Sequence, residues 1–149
     1  MNRGDQVLAL NLLFFGDASP GKETAPYYTQ LLGAIGDRPI GLEAAQLNAT
    51  LRWLQGVSHA HKIRIETTGI RSQELALIAC DLEQTLVAEL SIQGGMKSLG
   101  ELLDKPVTYD DAPDLFCLDS YKDFDIDWLT ALAEPTNVIQ SDFIEAYSK

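Results

Sequence analysis

Cysteine and histidine are scarce in this chain, with two of each among 149 residues. Cys80 and Cys117 belong to no Cys-x-x-Cys or Cys/His cluster, so no metal site and no disulfide are expected, and no cofactor motif is present. Cys80 falls in an apolar run, where a thiol serves as a small buried hydrophobe. Basic residues are outnumbered as well: 11 Lys and Arg against 22 Asp and Glu leave a net charge of −11. Such an excess repels phosphate backbones and anionic lipid, which argues against nucleic acid or a membrane as partner. Its plain consequence is solubility. No stretch approaches the roughly 20 apolar residues of a spanning helix. The start of the chain also lacks the charged region, apolar core and cleavage site of a secretory signal. A cytoplasmic location is expected.

What is present is an ordinary globular composition, 46% apolar and 22% charged, enough for one domain over residues 1–149 with a real core. The chain is organised around residues 62–81. Lys62-Ile63-Arg64-Ile65-Glu66-Thr67 alternates like a strand, Thr68-Gly69-Ile70-Arg71-Ser72 turns, and Gln73 to Cys80 is a largely apolar helix. A strand that turns at a glycine straight into a buried helix has the layout of a nucleophile elbow. The G-x-S-x-G chemistry is missing from it. With Gly69 as the first glycine, Arg71 stands in the nucleophile's place, Gln73 in that of the second glycine, and Ser72 one position late.

Before this stretch, Val7 to Phe15 reads as a strand buried on both faces. Gly16-Asp17-Ala18-Ser19-Pro20-Gly21 is a turn cluster, and Pro26 to Asp37 is a mixed loop with a helical turn near Tyr28 to Leu32. Gly41 to Gln55 is the clearest helix, with Leu47, Leu51 and Leu54 on one stripe, Ala44 and Trp53 widening it, and Gly56 as its stop. After it, Val87 to Ile92 is a short strand closed by Gly94-Gly95, and Ser98 to Leu103 a short helix. Lys105 to Asp119 is irregular and acidic, Asp127 to Ala133 helical up to Pro135, and Val138-Ile139-Gln140 opens a last strand. Alternating strands and helices predict an α/β fold: a mostly parallel sheet of about four strands with helices on both faces.

The order of these elements resembles the α/β-hydrolase superfamily, and within it the acetyl xylan esterase-like enzymes. Gly4 to Asn11 followed by Phe15-Gly16-Asp17 looks like the strand and turn that precede the nucleophile. Arg38-Pro39-Ile40-Gly41-Leu42 through Trp53-Leu54 is similar to the helix before the elbow. Leu115-Phe116, Lys122 to Asp125 and Leu129 to Pro135 resemble the segment ahead of the acid strand. The resemblance implies a partial α/β-hydrolase fold that begins near the family's fourth strand and ends near its seventh. It implies ester hydrolysis, a small ester or carbohydrate as ligand, Ser72 as the candidate nucleophile and Asp142 as the candidate acid.

Each candidate has a structural reading beside the catalytic one. Ser72 is placed to cap the helix that begins at Gln73. Arg71, with Gly69, is placed to hold an anion at the helix N-terminus, or to pair with a carboxylate of the chain itself. Asp142 reads equally as a tail residue. His59 and His61 are the only possible bases, yet they precede the elbow strand. Six strand residues put them roughly 20 Å from Ser72. The Tyr27-Tyr28 pair, Trp53, Phe124 and Trp128 line a sugar pocket in one reading and pack a core in the other. An esterase inactive by itself is therefore expected. The alternatives are a non-enzymatic interaction module, homo-oligomeric through exposed sheet edges, and a piece of a longer active esterase.

Overall fold

The computed structural model describes residues 6–58, 62–104, 107–117 and 120–143. Three strands form a parallel sheet in the order β1 (Ile63–Thr68), β2 (Val87–Gln93), β3 (Asn137–Ser141). The pairing aligns Ile65 with Leu90 and Leu90 with Val138, and likewise Thr67 with Ile92 and Ile92 with Gln140. These rows make the apolar face, where Leu90 and Ile92 are fully buried. Strand alternation sends the neighbouring residues to the opposite face. That face carries Arg64–Glu89–Asn137, Glu66–Ser91–Ile139 and Thr68–Gln93–Ser141. An ion pair of 2.8 Å between Arg64 Nε and Glu89 runs across it.

Six helices accompany the sheet among the described residues: α1 (Ala25–Ala34), α2 (Pro39–Ser58), α3 (Ile70–Leu82), α4 (Glu101–Asp104), α5 (Ser120–Asp123) and α6 (Ile126–Leu132). The α3 helix joins β1 to β2 and packs on both, on α2 and on α6. Enclosed in this way, α3 carries no single apolar stripe and is buried nearly all round from Gln73 to Cys80. The core gathers Leu47 and Leu51 of α2, Leu75 and Leu77 of α3, Leu90 and Ile92 of β2, and Ile126 and Leu129 of α6.

Three expectations are corrected here. The sheet has three strands, because Val7 to Phe15 joins none of them. Val7, Leu8 and Leu10 are exposed, the Leu13 N–H donates to Gln46 Oε1 at 2.8 Å, and Phe14 turns the chain with a φ of +63°. Nor do the described helices cover both faces. Strands added in one direction through right-handed crossovers place α3 and α6 on the same side, where they touch. The opposite face presents mostly exposed polar side chains. Finally, the loop expected at Pro26 to Asp37 is the full helix α1, and α2 runs through Gly56 to Ser58. Trp53 lies on the solvent side of α2, not on its core stripe. No helix among the described residues is long and apolar enough to cross a membrane.

Candidate functional site

The elbow forms as the sequence suggests, at the carboxyl end of β1. Gly69 takes φ +93°, which only glycine adopts at no steric cost, and its N–H continues the sheet ladder by donating to the Gln93 carbonyl at 2.8 Å. The α3 helix starts at the next residue, with Gly69 as its N-cap. Arg71 is thus carried in the first turn.

Its guanidinium is held by the chain on one side. Arg71 Nε donates to both carboxylate oxygens of Asp114 at 2.8 Å, and Nη2 reaches the Phe14 carbonyl at 3.4 Å. The Phe15 ring lies beneath it, 4.6 Å from centroid to guanidinium carbon, a cation–π contact. Asp114 belongs to a single 3-10 turn, Pro113–Leu115, which packs on α1, α2 and α3. The Asp114 side chain is only 1% exposed and that of Arg71 26%, so the pair is sunk on the acid side and half open on the basic side.

Two further carboxyls sit behind this pair. Glu43 of α2 and Glu74 of α3 are fully buried. Among the described residues neither oxygen of Glu43 has a hydrogen-bond partner; Glu74 accepts from the Ser120 hydroxyl at 3.3 Å through Oε1 and leaves Oε2 without one. Burial pushes the Glu43 carboxyl up to about 8, helped by Asp114 and Glu74 and opposed by Arg71. Burial likewise raises Glu74 to about 7, opposed by its Ser120 bond and helped by Asp114. Asp114, whose carboxylate holds the Arg71 guanidinium, therefore lies near two further buried carboxyls, and the guanidinium eases the charge of Glu43 alone among those two. Asp114 holds the Arg71 guanidinium, so charging Glu43 or Glu74 as well would leave buried negative charge without a paired cation.

Gln73, in the second glycine's place, clamps the backbone of Met96. Its Nε2 donates to the Met96 carbonyl at 2.9 Å and its Oε1 accepts the Met96 N–H at 2.8 Å. Gly95 is glycine for this reason: a Cβ there would come within 2.8 Å of the Gln73 amide.

Ser72 is not the helix cap. It lies inside α3, and its hydroxyl donates to the Thr68 carbonyl at 2.8 Å and the Gly69 carbonyl at 3.2 Å, the back-bonding typical of a helical serine. Asp142 follows β3 directly, is exposed with φ +51°, and accepts a 3.2 Å bond from the Gln93 amide. Ser72 and Asp142 share no hydrogen bond. His59 and His61 lie outside the described residues. No group of three or more His, Cys, Asp or Glu among the described residues is arranged to hold a metal ion. Tyr27, Tyr28, Trp53, Phe124 and Trp128 are all exposed, and none lines the cleft described next.

Beside Asp114 a cleft of about 230 Å³ opens between α1 and the 109–117 segment, lined by Thr29, Arg38, Tyr109, Phe116 and Cys117 among others. Tyr109 and Phe116 meet edge to face with centroids 5.6 Å apart.

The sequence reading overlooked Glu43, Glu74 and Asp114. A signal existed for the first. Glu43 falls on the stripe of Ile40, Ala44, Leu47 and Leu51, a core position occupied by a carboxyl. Glu74 likewise opens the apolar run of α3. Asp114 gave none, because its burial depends on a fold-back of the irregular acidic segment. No protein-family model, curated protein or solved structure matches the chain.

Proposed function

We propose that the chain is an α/β-hydrolase-like scaffold, related to the carbohydrate (acetyl xylan) esterases, in which the elbow has a structural task and no ester-cleaving one. The observation that carries this reading is the residue at the apex. An arginine cannot attack a carbonyl carbon, and here it is held by a buried aspartate. Ser72 donates its proton to backbone carbonyls, with no imidazole among the described residues to receive it. Turnover of p-nitrophenyl acetate by the native chain is expected to equal that of Ser72→Ala and to stay at the uncatalysed rate. Saturable turnover lost in Ser72→Ala would overturn the reading.

The scaffold's use is then an interaction, and the sheet favours a second copy as partner. Parallel sheets are ordinarily covered on both faces and flanked on both sides. In the described residues β1 and β3 each leave one edge without a strand, while Val7, Leu8 and Leu10 stay in water. Open edges and exposed apolar segments pair with further strands. Light scattering after size exclusion at micromolar concentration is expected to give a mass of at least two chains. A monomer mass at all concentrations tested would exclude this reading and leave the first intact.

A further inference from the structure

The buried charges join three separate elements: Glu43 on α2, Arg71 and Glu74 on α3, and Asp114 on the Pro113–Leu115 turn. The sheet and the elbow use none of these acids, and no step of ester chemistry needs them. Among the described residues the elements packed on these acids supply them no second cation; Lys22 pairs with Asp111 of the turn's own segment, at the surface. Residues 25–34 of α1 contain no charged side chain, α5 offers Glu74 only the Ser120 hydroxyl while its Lys122 and Asp123 face solvent, and Asp127 of α6 is exposed. Arg38 lies on the cleft side and donates to the Asp37 carbonyl at 3.0 Å.

We propose that Glu43, Glu74 and Asp114 form a proton-operated latch, in which the Pro113–Leu115 turn is held against α2 and α3 while both glutamates carry a proton and is released when they lose it. With both protons in place the group is neutral, Asp114 against Arg71. Losing both adds two negative charges beside a carboxylate that is 1% exposed, with no donor among the described residues on either Glu43 oxygen. The element able to yield is the turn. It is one 3-10 turn in an irregular acidic segment, whereas α2 and α3 are locked into the core by Leu47, Leu51, Leu75 and Leu77. Arg71 is the half-exposed member and can follow the departing Asp114 toward water. One wall of the cleft is built from this segment through Tyr109, Pro113, Phe116 and Cys117, the other from Thr29, Arg38 and Pro39. Release of the turn therefore widens the cleft, and the cleft's access follows pH.

Hydrogen exchange read by mass spectrometry, corrected for the intrinsic pH dependence of exchange, tests this on the full chain. Opening of residues 108–117 is expected to rise by roughly tenfold per pH unit for each glutamate that gains water, from about pH 5 to pH 7. Strand β2, which opens by global unfolding, is expected to stay better protected than 108–117 at every pH, by the margin that the larger opening requires. In the Glu43→Gln, Glu74→Gln double variant the rise is expected to vanish; each single variant is expected to show a shallower rise, which serves if the double variant does not fold. Three outcomes would overturn the latch. One is a protection of 108–117 that does not change with pH, and another is a single opening free energy shared by 108–117 and β2 at every pH. The third is an unaltered rise in the variants.

Discussion

Between about pH 5 and pH 8 the unfolding free energy of this chain is expected to fall, by about 1.4 kcal/mol per pH unit for each of Glu43 and Glu74 while it titrates. In the unfolded chain both carboxyls ionise near the ordinary value of 4.5, whereas in the folded chain they hold their protons up to about 8 and about 7. Below the unfolded value both states are protonated and nothing is lost. As the pH climbs, the unfolded chain releases protons that the folded chain keeps, so the balance tips toward unfolding. The decline ends as the folded values are passed, Glu74 first and Glu43 after it. Asp125 acts in the opposite direction. Burial alone would raise it, yet bonds from the Ser98 hydroxyl and the Leu99 and Ile126 N–H groups hold it below its ordinary 3.8. Its contribution is present above the unfolded value and disappears as the pH falls through the folded one. Stability is thus expected to peak in mild acid. Urea unfolding at one-unit steps of pH reads this directly, and Glu43→Gln is expected to flatten the slope and raise stability at pH 8. A flat profile in the native chain would mean that the two carboxyls reach water.

Arg71→Met is expected to cost about 3–5 kcal/mol at neutral pH, the loss typical of a buried pair that forfeits one partner. It leaves Asp114 buried beside two more acids with no cation among them. Asp114→Asn is expected to cost less, since Arg71 retains 26% of its side-chain surface in water and can turn outward. The asymmetry is the informative part. An ordinary surface ion pair is worth at most about 1 kcal/mol from either side. Urea midpoints with an unchanged m-value would report both losses.

Local signals on β1, α3, β2, α6 and β3 carried most of the fold. Alternation at Ile63 and Ile65, the glycine at 69 and the apolar run to Cys80 each point to one structure and do not depend on distant residues. Val7 to Phe15 misled because apolar β-formers state only that a strand is affordable. Whether a ladder exists is decided by pairing with a neighbouring strand, and that segment pairs with neither open edge of the described sheet. Gly56 misled in a similar way: a glycine weakens a helix by about 1 kcal/mol, which a 20-residue helix packed on α3 absorbs. At the site, the arginine two residues after Gly69 was plain in the sequence. Its partner was not, since Asp114 meets Arg71 across 43 residues of chain. Reading Ser72 as a cap failed because the helix begins at Ile70, three residues earlier than its apolar run suggests.

The claim on which the account rests is that Arg71, in the first turn after Gly69, serves as counter-ion to Asp114. A double-mutant cycle of Arg71→Met and Asp114→Asn, read by urea unfolding at neutral pH, measures that pairing free of either residue's other contacts. The account predicts a favourable coupling of about 2 kcal/mol or more, with the double variant more stable than Arg71→Met alone. Coupling below about 0.5 kcal/mol, the two losses simply adding, would contradict it.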